Sequence, residues 1–360
     1  MKRYKSLSLT LIFSLTGLVL SAQAPKYSNE FLNIGVGARS MGMGNSSVAS
    51  VNDVTAGYWN PSRLPSITGN LQLGAQHAEY FAGIAKYDFM GVALKQSENS
   101  HIGLSLIRFG VDDIPNTLEL IDENGNIRYD RIKSFSVADY AFLFSYGRKT
   151  GIEGLSVGGN AKVIRRVAGE FASAWGFGLD AACSYQKDNL TLGAMARDIT
   201  STFNAWSFNT EELEEVFVMT GNEIPVNHVE VTLPRLILSG SYLYDFNENF
   251  SGLAEVNMDM TTDGKRNVLL KSDPFSFDPH MGVEIGFRKI LYARVGVNNF
   301  QQERDFDNKK VTTFVPSFGL GIRYRNFGLD YAFTDIGDRS IALYSNVFTL
   351  FYTFSQPPAK

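Results

Sequence analysis

A single cysteine, Cys183, excludes any intrachain disulfide in this chain of 360 residues. Histidine is almost as scarce. His77, His101, His228 and His280 lie far apart without metal-ligand spacing, so no zinc site is expected. Charge of one sign never accumulates: 33 basic residues are spread among 37 acidic ones, for a net charge of −4. No basic stripe offers itself to a nucleic acid. After the first twenty or so residues, no segment is apolar enough to cross a membrane as a helix. Proline is sparse at 11, whereas glycine (33) and aromatics (27 Phe, 16 Tyr, 3 Trp) are abundant. That mixture suits a β-rich chain whose backbones approach one another closely.

The N-terminus reads as an export signal. Lys2, Arg3 and Lys5 form a positive region, Leu7 to Leu20 an apolar one, and Ser21-Ala22-Gln23-Ala24 supplies small residues for cleavage. About fourteen apolar residues fall short of the roughly twenty that span a bilayer as a helix. Cleavage after Ala22 keeps Pro25 away from the scissile bond, so residues 1–22 are expected to be removed. No cysteine follows the apolar region, which argues against a lipoprotein.

Between Gly35 and Pro65 the chain reads GVGARSMGMGNSSVASVNDVTAGYWNPSRLP. Its glycines do not make a phosphate loop. Ser40 and Ser47 stand where a dinucleotide fingerprint needs its third glycine, and no lysine occurs between Lys26 and Lys86. The segment is too rich in Gly, Ser and Asn for a core of its own. Gly35, Gly37, Gly42 and Gly44 would instead let backbone pass close to a wall or take positive φ, and Pro61 after Asn60 would fix a turn.

Past Ser66 the pattern has period two. Trp175, Phe177, Leu179, Ala181, Cys183 and Tyr185 share one face, and Gly176, Gly178, Asp180, Ala182 and Ser184 the other. This face makes Cys183 a small hydrophobe. Fourteen such strands are expected, beginning near Gly69, Ile84, His101, Phe135, Leu155, Ala174, Leu190, Leu233, Phe250, His280, Leu291, Phe314, Phe327 and Ser340. Links after even strands are short. The long ones, Gly110–Lys133, Ile199–Thr232, Met260–Asp278 and Asn299–Val311, all follow odd strands. A Greek-key sandwich has no reason to keep that parity, whereas an up-and-down membrane barrel does. Lys162, Arg166, Asp180, Arg197, Arg235, Glu255, Glu284, Arg294, Arg323 and Asp330 fall opposite the apolar faces and would point into the lumen. The expected architecture is an all-β transmembrane up-and-down antiparallel barrel of about fourteen strands. Its wall would occupy residues 67–360, with 23–66 plugging a lumen too wide for wall side chains to fill.

Ile34 to Gly44, then Ser47 to Asp53, then Tyr58-Trp59-Asn60-Pro61 resemble the N-terminal motif of the PorV/PorQ family, outer-membrane barrels of Bacteroidetes-type bacteria similar in fold to the FadL long-chain fatty-acid transporters. Gly35, Gly37, Ala38, Arg39, Gly42, Gly44, Asn60 and Pro61 carry it, with Asn60-Pro61-Ser62 where many relatives have Asn-Pro-Ala. The resemblance implies a Gram-negative outer-membrane location. It also implies a non-enzymatic, cofactor-free role in or beside the type IX secretion system, binding secreted cargo, translocon or attachment-complex proteins. The alternative it leaves is a FadL-like transporter of hydrophobic small molecules.

No catalytic constellation emerges. Asp112, Asp113, Glu211, Glu212, Glu214 and Glu215 lie in expected outer loops, where carboxylates lack the shielded site that acid–base work needs. Glu211 to Met219 reads as a short amphipathic helix. The long loops carry apolar residues, Leu118, Leu120 and Ile121 in one and Trp206, Phe208, Val216 and Phe217 in another, which suit a partner or a cover over the barrel mouth. The charged, glycine-rich lumen argues against a greasy axial tunnel and leaves a lateral pocket near the plug as the alternative.

Overall fold

The computed structural model describes residues 28–354, apart from 123, 212–213, 215–216, 219–222, 224, 263, 305–306 and 335–343. The expected leader at 1–22 therefore lies outside the described residues.

Alternating residues become strands because each pleat sends successive side chains to opposite faces. In chain order these are β1 (Leu71–Tyr80), β2 (Ala85–Ser97), β3 (Ser100–Asn116), β4 (Lys133–Lys149) and β5 (Leu155–Ala168). There follow β6 (Ala172–Lys187), β7 (Leu190–Arg197), β8 (Phe203–Phe208), β9 (His228–Val231) and β10 (Arg235–Asp245). The last six are β11 (Phe250–Thr261), β12 (Ser276–Phe287), β13 (Leu291–Arg304), β14 (Lys310–Tyr324), β15 (Phe327–Thr334) and β16 (Ser345–Phe354). Fourteen of them, all but β8 and β9, form a closed antiparallel ring. β5 joins β6, and β1 meets β16 from Leu71↔Phe354 to Glu79↔Asn346. Closure leaves no free edge in the ring, which is what lipid demands of a sheet.

The end where β1 starts and β16 stops is called the near end. Its turns are tight, and Asp188, Arg288, Lys289 and Arg325 take positive φ in them, which matches the twist of the flanking strands. At the far end the expected excursions are partly strand. β13 and β14 continue their ladder to Arg304↔Lys310, leaving only 305–309 of the loop expected at Asn299–Val311. β3 and β4 likewise pair out to Asn116↔Lys133. Inside the loop expected at Ile199–Thr232 lies the hairpin of β8 and β9, docked on the far half of β6. β6 thus changes partner along its length, pairing with β7 near Lys187 and with β8 near Ala172. Gly178 permits the change, since a Cβ there would lie 1.8 Å from Thr202 Oγ1.

The outer surface is apolar around the whole ring. Phe142, Phe144, Leu238, Ile285, Phe318, Leu320, Phe348 and Leu350 are exposed on it, a surface sustainable only against lipid. Tyr146, Tyr185, Tyr244, Phe250, Tyr324 and Phe327 form an aromatic girdle near the near end. Among the described residues no helix is long and apolar enough to cross a membrane, and the strands do the crossing.

Within the ring sits the N-terminal segment, as short helices at Ala38–Gly42 and Ala56–Trp59 and 3₁₀ turns at Glu30–Asn33 and Pro61–Ser66. Most of its residues are buried. None of these helices could stand alone at four to six residues, so the wall supplies what holds them.

Candidate functional site: the plugged lumen

Glycine meets glycine where the plug touches the wall. A Cβ on Gly42 would lie 2.8 Å from Gly319 Cα, and one on Gly44 2.6 Å from the backbone nitrogen of Val297. Reciprocally, a Cβ on Gly296 would lie 2.1 Å from Gly44 N. Gly44 also has φ +64, and its N–H donates to Ser317 Oγ at 3.0 Å. On the opposite wall, Pro61 lies against the paired Gly147 and Gly158, whose Cβ atoms would collide with its carbonyl group. The remaining motif residues are also engaged. Gly35 has φ +100 against the Asn45 side chain, Gly37 N–H donates to Gln76, and Ala38 N–H donates to Thr349 Oγ1 at 2.8 Å. Asn60 receives Ser62 N–H and donates through Nδ2 to Val48 O at 2.7 Å, so its side chain fixes both neighbouring turns.

The lumen has two unlike sides. On β1 to β5, Tyr87, Phe89, Ile107, Leu143 and Ile164 point inward and are buried against Phe31, Leu32, Val36, Val54 and Trp59 of the plug. Fully burying such a side chain is worth about 1.5–3 kcal/mol. The side formed by β11 to β15 is ionic instead. Arg39 of the plug contacts Glu284 at 3.0 Å, Glu284 contacts Arg294 at 2.6 Å, and Asp330 bridges Arg294 (2.8 Å) and Arg323 (2.7 Å). Glu255 takes the backbone N–H groups of Ala49 and Ser50 at 2.8 and 3.1 Å, so wall carboxylates grip plug backbone as well. Between the two sides, Arg197 lies over the Tyr58 ring at 4.3 Å and donates to Tyr58 O at 3.2 Å. Lys162 meets Asp180 at 2.8 Å and Asp198 at 2.6 Å. The charges expected in the lumen are thus engaged, most of them in ion pairs, Arg197 by Tyr58 and Glu255 by plug backbone.

Two larger cavities lie at the wall, one inside it and one outside. A polar one of about 740 Å³ opens at the near end beneath Arg39 and Arg63. The other, about 530 Å³, is an apolar groove on the lipid face of β16 and β1 to β4, bordered by Met90, Leu104, Phe142, Phe144 and Leu350. The paired Gly74 and Gly91 separate this groove from the plug. On their luminal side, Cβ atoms would lie 2.4 and 2.8 Å from the Val54 methyls. Here the wall is one backbone thick.

Trp206 and Phe208, taken from sequence as a partner-binding surface, turn inward on β8 and are half-buried. Arg166 lies 5.0 Å over the Trp206 ring, and Phe208 stacks on His228 at 5.6 Å. Phe217 is half-buried in a helical stretch, while Val216 lies outside the described residues. What sequence reasoning missed is Gly74, Gly91, Gly147, Gly158, Gly282, Gly296 and Gly319 as contact points. The signal was a glycine at a luminal position of a strand, where nothing requires one unless another backbone comes close.

Searches with family models and against curated proteins return no match for this chain. Solved structures do resemble it. The P. putida toluene transporter TodX superposes with a TM-score of 0.55 at 13% identity, covering 90% of this chain and 99% of TodX. The fold is FadL-like. The Ralstonia pickettii toluene transporter TbuX gives 0.53 at 13% identity over 89% of this chain and 98% of its own. A Pseudomonas aeruginosa FadL homologue gives 0.51 at 13% over 89% and 98%. No secretion component stands among these neighbours, so the resemblance to PorV/PorQ barrels narrows to the FadL-like architecture they share.

Proposed function

We propose that this outer-membrane barrel carries hydrophobic small molecules across the membrane, with its near end in the periplasm. The observation that carries the reading is the single-backbone wall at Gly74 and Gly91, with an apolar groove outside and the apolar flank of the plug inside. A hydrophobic solute resting against the plug would have only this thin partition between it and the lipid. Its neighbours of like fold, TodX and TbuX, are toluene transporters, which supports the same class of cargo here. The fourteen-strand ring brings both of its ends to one side, and tight turns occupy that side, as in barrels whose termini are periplasmic. The second reading, capture of secreted proteins by the far-end loops, loses support because Trp206 and Phe208 face inward against Arg166 and His228.

The test is uptake. Cells displaying the protein should accumulate a labelled monoaromatic hydrocarbon faster than cells with an empty outer membrane, and Gly91→Leu should slow them. Equal rates in both, together with a stable protein partner on purification in mild detergent, would replace transport by the secretion reading.

A further inference from the structure

The near-end cavity is unlike anything that moving a hydrocarbon requires. Six Lys and Arg side chains line its volume of about 740 Å³ against three carboxylates. Three of the cations, Arg39, Arg294 and Arg323, share only Glu284 and Asp330 between them. Arg63 has less. It is 9% exposed, yet it pairs with no carboxylate among the described residues. Its Nε donates to Val51 O at 3.4 Å and its Nη1 to Gln186 Oε1 at 3.1 Å, which leaves Nη2 without a partner among the described residues. Arg39 Nη1 is also buried with no hydrogen-bond partner. The nearby carboxylates do not answer this need, because Glu255 is engaged by Ala49, Ser50 and Ser239, and Asp53 by Thr55. Burial lowers the pKa of the Arg63 guanidinium, with Arg39 adding to the effect and Glu255 opposing it. A desolvated guanidinium with free donors facing a water-accessible cavity is a site missing its acceptor, and a planar fork of N–H groups matches an oxyanion.

We propose that the cavity beneath the plug is an oxyanion site, filled from the near-end solvent by a carboxylate or phosphate group whose central partner is Arg63. Lys149 and Lys289 at its rim draw the anion in, and Arg39 adds positive charge behind the site. The bound anion neutralises the underside of the plug and fastens it. This goes beyond the transport reading, because binding here needs no hydrocarbon and no movement of the plug.

The full-length protein in neutral detergent and Tris buffer would be titrated separately with inorganic phosphate and with acetate, using sodium chloride at matched ionic strength as the control. Melting temperature and calorimetry give the half-saturating concentration. A saturable rise with phosphate or acetate but not with chloride is expected, and the tighter of the two identifies the source of the group. Arg63→Gln should weaken it on the order of tenfold or more, as loss of a charged hydrogen bond does. Should that variant fail to fold, the rim variant Lys149→Gln/Lys289→Gln serves, with roughly two- to fivefold weaker binding expected for exposed charges. Equal response to chloride, or half-saturation unchanged in the folded variant, overturns the proposal. Neither outcome touches hydrocarbon uptake, so the two readings fail separately.

Discussion

Gly44→Ala tests the packing of the plug more sharply than any deletion, because it adds one methyl group at a place where backbone is already in contact. Two costs combine. Gly44 has φ +64, a conformation that costs an ordinary residue about 1–2 kcal/mol. The new Cβ would also lie 2.6, 2.8 and 2.9 Å from the N, O and C atoms of Val297, and a strand in a closed ring cannot step aside as a flexible side chain can. Overpacking of this kind costs about 1–3 kcal/mol, for a total of about 2–5 kcal/mol. Gly42→Ala should cost only the crowding against Gly319, since its φ is an ordinary helical one. Gly151→Ala is the control, for nothing lies within 4 Å of its Cβ, and a change within about 0.5 kcal/mol is expected. Trp59 is buried in the plug and reports its release, once Trp175 and Trp206 have been changed to Phe. Urea titration followed by Trp59 emission should order the midpoints Gly151→Ala, Gly42→Ala, Gly44→Ala from high to low. If Gly44→Ala coincides with Gly151→Ala, the close approach of plug to wall is refuted.

Asp330→Asn should cost about 1–3 kcal/mol in the same titration, since it removes the carboxylate that Arg323 pairs with and leaves the buried Arg294 on Glu284 alone, whereas Arg323→Gln at the wetter end of that chain should cost less. Lys162→Met would leave Asp180 and Asp198 facing each other without a cation, and proteolysis within 199–232 should quicken severalfold as the β8–β9 hairpin loosens. Asp122, in the far-end loop, accepts the backbone N–H groups of Asn124 and Asn126 at 3.0 and 2.9 Å, and these bonds, the one from Asn126 first, hold its carboxyl below the usual aspartate range. Because the folded pKa is depressed, the turn is at full strength at neutral pH and weakens as pH falls below the ordinary value of about 3.9, which a falling protection factor of the Asn126 amide, taken against the intrinsic exchange rate at each pH, should show.

Much of the wall was legible because a barrel strand repeats a simple rule. From Trp175 to Tyr185 the residues read as apolar face outward and the small or polar ones inward, and burial follows that alternation. Parity of loop length correctly gave an even ring, since every near-end turn is tight. The β8–β9 hairpin was not legible. Phe203, Ala205 and Ser207 face out while Asn204, Trp206 and Phe208 face in, so the bulkiest side chain sits on the face that the rule reserves for small or polar ones. The far-end extension of β13 and β14 has a related cause, because Gln301 to Arg304 and Lys310 to Thr313 are polar apart from Val311 and carry no sustained lipid-facing signal. In the plug, the glycines announced a close approach but not its partner. The partner glycines lie far along the chain, and only the register of the closed ring brings Gly319, Gly282 and Gly296 against Gly42, Met43 and Gly44.

A charged lumen, read from sequence as arguing against a greasy axial tunnel, is compatible with hydrophobic cargo at the side of the plug once the charges are placed around the ring. Glu284, Arg294, Arg323 and Asp330 come from β12 to β15, and each is engaged by another or by Arg39. Their task is to hold one side of the plug. Across the lumen, the inward residues Tyr87, Phe89 and Ile107 of β2 and β3 carry no charge and pack on the plug's apolar flank. The lipid-face groove lies on those same strands and not on the ionic ones. Apolar surfaces inside and outside therefore back the same stretch of wall, and Gly74 and Gly91 thin it there to bare backbone. A sum over all luminal residues hides this, because charge and apolar surface are segregated by strand. On the proposed transport reading, the ionic side anchors the plug and the apolar side is the one that meets a solute.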